Sequence, residues 1–210
     1  MTKRLEIICS HIPKSKVFAD VGCDHGYCAR YVLDNRLAER VYITDVSEKC
    51  LDKAKRLMQR EIGEGSCVAL VGDGISVLPE PCTVLVAGMG GEEIVKILSA
   101  GIPPIFLLQP MKNSEKLRRF LVERGCRITL DYTFEDGKFY DFIAGENAGG
   151  DRYTEREYAY GRDNLKNPQP AFRKMIGQEI EKIREYLKGN PSEKETEKLL
   201  RRLKEREDLF

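Results

Sequence analysis

Residues 17–27 read Val17-Phe18-Ala19-Asp20-Val21-Gly22-Cys23-Asp24-His25-Gly26-Tyr27. A short apolar run ends in a glycine, and a segment with helical character follows. Glycine at such a junction lets the backbone approach a ligand closely and take conformations closed to other residues. The spacing is not Gly-x-Gly-x-x-Gly, so the dinucleotide fingerprint is missing. The pattern is instead Asp20-x-Gly22-x-Asp24-x-Gly26. An ordinary strand-to-helix turn with Asp24 as its N-cap would use the same residues.

Outward from this loop, apolar runs alternate with helical spacing. The runs are Val17–Val21, Val41–Val46, Cys67–Val71, Thr83–Ala87 and Ile105–Leu108. The stretch from Ser47 places Leu51, Ala54, Leu57, Met58 and Ile62 on one face, and that from Ser114 does so with Leu117, Phe120 and Leu121. Continuous apolar strands separated by helices predict a parallel sheet covered on both faces. Cys126–Phe134 and Lys138–Gly145 then follow without a helix between them, joined by Glu135-Asp136-Gly137. Asp-Gly is a hairpin signal. The expected fold is therefore α/β, Rossmann-like and mostly parallel, with a terminal antiparallel hairpin. That hairpin suits a methyltransferase sheet and not a dinucleotide dehydrogenase.

Gly149-Gly150 divides the chain into an expected catalytic domain, residues 1–150, and a charged helical domain, residues 151–210. Phe172, Ile176, Ile180, Ile183 and Leu187 mark one amphipathic helix, and Leu199, Leu200 and Leu203 a second. Gly189-Asn190-Pro191 separates them, and Ser192 with Glu195 forms a capping box. The pair is expected to be an antiparallel helical hairpin.

Strand ends carry the chemistry in open α/β sheets. Asp45 and Val46 close the second strand, where a carboxylate can take both ribose hydroxyls of a nucleoside. Gly72-Asp73-Gly74 closes the third, where an aspartate between glycines could accept an adenine amino group. Ala87-Gly88-Met89-Gly90-Gly91 ends the fourth, with glycines permitting the approach of a flat base and Met89 packing on it. Gln109-Pro110-Met111 ends the fifth, where Gln109 has donors and acceptors suited to a base edge. Each could also be plain turn chemistry. Together they predict a nucleoside cofactor. Asp20 and Asp24 then choose among such cofactors. They would repel a pyrophosphate but suit S-adenosylmethionine, which brings a positive sulfur and an ammonium. Gly22, Gly26 and Tyr27 complete the loop. His25 reads either as a general base or as a residue orienting its neighbours.

Composition narrows the remaining classes. Of 210 residues, 41% are hydrophobic, enough for a core, and the net charge of +1 points to no polyanionic partner by itself. No run approaches the roughly 20 apolar residues of a membrane span, and the N-terminus does not read as a signal peptide, so a cytoplasmic protein is expected. The seven cysteines include no Cys-x-x-Cys pair and read as reduced, mostly buried thiols. With two histidines, neither at metal-site spacing, no metal is expected.

The Asp20–Tyr27 loop, Gly72-Asp-Gly, Ala87-Gly-Met-Gly-Gly, Leu108-Gln-Pro, Glu135-Asp-Gly-Lys-Phe-Tyr and Tyr160-Gly-Arg-Asp-Asn-Leu occur in this order. The chain resembles the bacterial TrmK family over nearly its whole length. The resemblance implies a methyltransferase that uses S-adenosylmethionine to modify N1 of adenine 22 in tRNA, with a helical domain behind a Rossmann-like one. The family usually has alanine at Gly26, asparagine at Met111 and glutamate at Asp45. Asn113 is a polar group that could stand in for the asparagine. The expected substrate contacts are Met89, Gly90, Gly91, Gln109, Pro110 and Asn113. Asp24, His25 and Gln109 are the candidates to accept the proton lost from the adenine amine. Arg173, Lys174, Lys182, Arg184, Arg201 and Arg202 are the candidate grip on tRNA phosphates; with glutamates interspersed among them, a solvated charged helix or an oligomer contact is the other reading. A methyltransferase for a small molecule or protein, and a non-catalytic RNA- or partner-binding module, are the alternatives. An oligomer is possible but not indicated.

Overall fold

The computed structural model describes residues 1–189 and 191–210. The Asn190 part of the expected helix stop lies outside the described residues. Seven strands form one sheet in the order β3-β2-β1-β4-β5-β7-β6. They are β1 (Val17–Val21), β2 (Arg40–Asp45), β3 (Cys67–Val71), β4 (Thr83–Met89), β5 (Ile105–Pro110), β6 (Arg127–Asp136) and β7 (Lys138–Glu146). The first five are parallel. β7 runs antiparallel between β5 and β6, as the sequence predicts. The order reverses between β1 and β4, so the crevice of the sheet opens beyond Val21 and Met89.

Helices cover both faces. α1 (Lys3–Cys9), α2 (Tyr27–Asp34), α3 (Glu48–Leu57) and α4 (Gln59–Gly63) lie at one face, packing Ile8, Val32, Leu51 and Met58 with Phe18, Ile43, Leu85 and Leu107. α5 (Gly91–Ser99) and α6 (Ser114–Glu123) cover the other, packing Ile94, Leu98, Leu117 and Leu121 against Ala19, Val84, Val86, Phe106 and Leu108. Neighbouring strand residues thus serve opposite faces, which is why both parities had to be apolar.

Three boundaries differ from expectation. The helix after β2 breaks at Met58 (φ −106°, ψ 18°) into α3 and α4. β4 and β5 run to Met89 and Pro110, because a register shift at Gly88 (φ +82°) lets pairing resume. Gly88, Met89, Gln109 and Pro110 are therefore strand residues and not loop residues. The α1 helix was not anticipated, although Thr2 caps it and Leu5, Ile8 and Cys9 share its inner side.

Behind the hairpin lie α7 (Glu155–Tyr160), α8 (Arg162–Lys166), α9 (Pro170–Lys188) and α10 (Glu193–Glu207). α9 buries Phe172, Ile176 and Ile183. The Ser192 hydroxyl and N–H both donate to Glu195, the expected capping box. Contacts continue past Gly149-Gly150. Asp151, Asp163 and Asn164 accept the backbone N–H groups of Ile128, Asp131 and Thr133 on the edge strand β6. Gly161 packs so closely that a Cβ would lie 2.8 Å from Asp131 Oδ1. This accounts for Gly161-Arg162-Asp163-Asn164 as a motif that seals the sheet edge.

Arg118 of α6 is fully buried. Its Nε donates to both Asp131 oxygens at 2.9 and 3.0 Å, Nη2 to Asp141 at 3.1 Å and Nη1 to the Tyr158 carbonyl at 3.2 Å. Breaking such a pair leaves an uncompensated buried charge, at about 3–5 kcal/mol. Arg118→Met is expected to lose about that much in urea unfolding. A midpoint within error of wild type would refute the role.

Candidate functional site

A cavity of about 460 Å³ opens at the carboxyl ends of β1, β2, β3 and β4. Gly22, Asp45, Val46, Gly72, Asp73, Gly74, Gly88 and Met89 line it, together with Val21, Thr44, Glu93, Lys96 and Ile97. Its size falls in the range of small-molecule sites. Two glycines are required by contact. A Cβ on Gly22 (φ +71°) would fall 1.9 Å from Met89 Cε, and one on Gly72 would fall 2.2 Å from Val77. Met89 therefore lies across the first loop, joining the ends of β1 and β4.

The polar groups are built from the strand ends. Asp45 Oδ1 accepts the Ser47 N–H at 2.9 Å, which fixes the carboxylate at the cavity wall. The Thr44 carbonyl accepts both the Gly22 and Cys23 N–H groups, tying the first loop to β2. Thr44 Oγ1 is, among the described residues, the buried side-chain oxygen without a hydrogen-bond partner. From α5, Glu93 accepts the Gly90 N–H at 2.7 Å, so this carboxylate caps its own helix at the cavity edge. Glu93, Lys96 and Ile97 were not anticipated. The Gly90-x-x-Glu93 spacing was the available clue to the first, and nothing local distinguishes the other two.

The loop acids do not line this cavity. Asp20 was expected to face the cofactor's positive groups, but it is buried beneath the loop, where it accepts the Ala29 N–H of α2 at 3.1 Å. Strand parity explains this. Val17, Ala19 and Val21 serve the α5 face, so Asp20 and Phe18 turn to the α2 face. Burial pushes the Asp20 carboxyl up to about 7, against the opposing pull of the Ala29 N–H. Asp24 (φ +45°) lies on the outer side of the loop, bonded to Lys53 at 2.8 Å and His25 Nδ1 at 2.6 Å. The Lys53 ammonium holds its carboxyl below the usual range. His25 stacks on the exposed Tyr27 ring, centroids 5.4 Å apart. Gly26 (φ +73°) starts α2, and a Cβ there would touch Ala54 at 3.0 Å.

On the β5 side, Gln109 was expected to present its amide at the rim. It is fully buried instead. Its Oε1 accepts from Arg4 Nη1 at 3.1 Å and its Nε2 donates to the Pro110 carbonyl at 2.9 Å. The parity is again the reason: Phe106 and Leu108 serve the α5 face, and Leu107 and Gln109 the α1 face. Both ends of the amide are thus engaged within the fold. Pro110 is buried as well, whereas Met111 and Asn113 are exposed. Gly91 lets the start of α5 meet the next loop backbone to backbone, since a Cβ would lie 2.4 Å from the Asn113 carbonyl.

Three of the six cations of the expected tRNA grip pair with carboxylates. Lys174 pairs with Glu135, Arg184 with Glu181 and Glu207, and Arg201 with Glu205 at 4.0 Å. Arg173 lies over the Phe210 ring. Lys182 and Arg202 line a groove between α9 and α10 beside exposed Tyr186.

A family model described as a methyltransferase domain matches residues 1–143. A Bacillus subtilis protein named tRNA (adenine(22)-N(1))-methyltransferase is 31% identical over 160 residues, 72% of this chain and 66% of that one. A Mycoplasma pneumoniae relative is 32% identical over 147 residues, 66% of this chain and 68% of that one. The chain belongs to the methyltransferase-domain family. The crystal structure of Bacillus subtilis TrmK superposes with a TM-score of 0.83 at 25% identity, over 100% of this chain and 96% of that one. Mycoplasma capricolum TrmK, solved with S-adenosyl-homocysteine, gives 0.87 at 21% identity over 99% and 96%. The fold is thus that of TrmK across both the sheet and the trailing helices. The curated Bacillus subtilis match spans just under two thirds of that relative's length.

The Asp20 carboxyl has a folded pKa near 7 and an ordinary unfolded one near 3.9. Between those values the folded state holds a proton that the unfolded chain has lost. The contribution of this group to stability should therefore fall as pH rises from about 4 to 7 and level off above. It is read as the difference between wild type and Asp20→Asn in urea midpoints across that interval, which should drift against wild type as pH rises. Two profiles that run parallel from about pH 4 to 7 would contradict the assignment.

Proposed function

We propose that this chain transfers a methyl group from S-adenosylmethionine to N1 of an adenine in tRNA, at position 22 as named for the Bacillus subtilis relative. The observation that carries the reading is the glycine-walled cavity at the sheet's switch point, with Asp45 and Asp73 on its wall. Gly22 and Gly72 let the Met89 and Val77 side chains close in on the backbone, and with Met89 these glycines shape the cavity wall. The two carboxylates suit ribose hydroxyls and an adenine amino group, and no part of the lining is a pyrophosphate cradle. The residues fit the cofactor. Bound there, it supplies an electrophilic methyl group on a positive sulfur.

The protein's part is placement. Adenine N1 carries a lone pair in the plane of the ring, so no base is needed to create the nucleophile. Holding N1 in line with the methyl can contribute roughly 7–11 kcal/mol through effective molarity. Asp45 is positioned for the ribose, and Asp73 for the adenine ring of the cofactor. Gly88 and Met89 border the side on which the substrate base would enter. N1 lies on the Watson–Crick edge, so the target must be unpaired or flipped, at a cost of a few kcal/mol. Gln109 is enclosed, and Asp24 with its bonded neighbour His25 lies on the outer side of the first loop, so none of the three expected acceptors borders the cavity.

Incubation with labelled S-adenosylmethionine and bulk tRNA should yield 1-methyladenosine in the nuclease digest. Label only in protein or small molecules would refute the substrate assignment. Asp45→Ala should weaken S-adenosylmethionine binding by about tenfold or more, as loss of hydrogen bonds to a charged group of about 1.5–3 kcal/mol each implies. Calorimetry showing undiminished binding would remove Asp45 from the site.

A further inference from the structure

We infer that Arg4 and Lys112 form a phosphate-binding pair at the mouth of the site, receiving the RNA backbone beside the target adenosine. This rests on the tRNA reading above and extends it to the substrate's sugar–phosphate chain. Arg4 comes from α1, and its backbone N–H is fixed by Asp136 at 2.9 Å. Its guanidinium lies over Gly88, with Nη1 and Nη2 at 3.6 and 4.0 Å from where a Cβ would stand. Nη1 bonds Gln109 and touches Met111 Sδ at 3.5 Å, and the Tyr140 ring lies 5.5 Å away. Among the described residues no carboxylate comes within 4.0 Å of this guanidinium. Exposed Lys112 crosses Gly90, its Cε at 3.2 Å from the corresponding Cβ position. It feels Glu92 only through space, that carboxylate being bonded to Lys116.

Other cations near the cofactor loop are committed, Lys53 to Asp24 and Arg30 to Glu61. Lys96 lines the cavity itself. Two uncommitted cations thus bracket Gly88–Gly90, on the side where the base would enter. Their placement is electrostatically unfavourable for the chemistry taken alone. The methyl donor is a cation, and so is the N1-methylated base. A phosphodiester arriving with the substrate offsets both, and a guanidinium with a free edge suits its oxygens. Gln109 then acts as the support that holds Arg4 over Gly88.

Arg4→Met, Lys112→Met and the double variant should be compared with wild type for methyl transfer to tRNA over a salt series. The expected result is a roughly tenfold fall in kcat/KM for each residue, carried by KM. The slope of log(kcat/KM) against log salt should become shallower by about one per cation removed. Arg4→Lys should keep the wild-type slope. Affinity for S-adenosylmethionine, measured by calorimetry on the same preparations, should not change. An unchanged slope in Lys112→Met, an exposed change that does not threaten folding, would overturn the pair. So would an Arg4→Met variant that loses cofactor affinity as much as tRNA turnover. A wild-type protein that leaves tRNA unmethylated would instead overturn the substrate reading beneath it.

Discussion

The guanidinium of Arg118 is the junction on which the second half of the molecule is assembled. It joins α6 to both strands of the hairpin through Asp131 and Asp141, and to α7 through the Tyr158 carbonyl. Asp131 in turn accepts from the Tyr153 hydroxyl and the Arg162 N–H. One buried cation therefore ties helix, hairpin and trailing helices to a single point. An ion held this way adds little net stability against a well-packed apolar substitute, because desolvation consumes most of the attraction. What it does enforce is geometry: a hairpin slipped by one residue would turn Asp131 away from Arg118. The hairpin in turn holds Tyr140 and Asp136 beside α1, and α1 holds Arg4 at the rim.

The cavity is governed by the opposite kind of constraint, the removal of side chains. Gly22 and Gly72 are placed where a Cβ would collide, with Met89 and with Val77. Those two side chains take the space cleared, and the cavity beside them carries Asp45 and Asp73 on its wall. Asp20 works from below, holding the start of α2 to the end of β1. It shapes the loop by being buried, and that burial is also why its carboxyl resists ionisation. The loop acids thus divide their labour. One organises the backbone, and Asp24 anchors Lys53 and His25 on the outer side.

Much of this was legible in the sequence because the signals were local. Apolar runs ending in Asp or Gly named the strand ends, and Asp136-Gly137 named the hairpin. Ser192 and Glu195 named the start of the last helix. The errors came from orientation and from distance along the chain. Asp20 and Gln109 sit at strand ends but point to the α2 and α1 faces, and the parity of their apolar neighbours carried that information. Arg4 meets Gln109 only after the whole sheet is assembled, and no spacing near residue 4 announces it. Arg118 likewise looks like one more charge on an amphipathic helix until β6 and β7 bring their carboxylates to it. On α9 and α10 the sequence shows the local pairs, such as Arg184 with Glu181 and Arg201 with Glu205, but not the distant ones, Lys174 with Glu135 and Arg184 with Glu207.

The sealing of β6 by Asp151, Asp163 and Asn164 has a consequence for how copies of this chain can meet. An edge strand with free N–H groups is a template on which another strand can add. Here the N–H groups of Ile128, Asp131 and Thr133 are already occupied by side chains. That edge cannot be extended without first pulling α8 away. The margin carrying the hairpin and the trailing helices is thereby closed to strand-on-strand addition, which leaves β3 as the other end of the strand order.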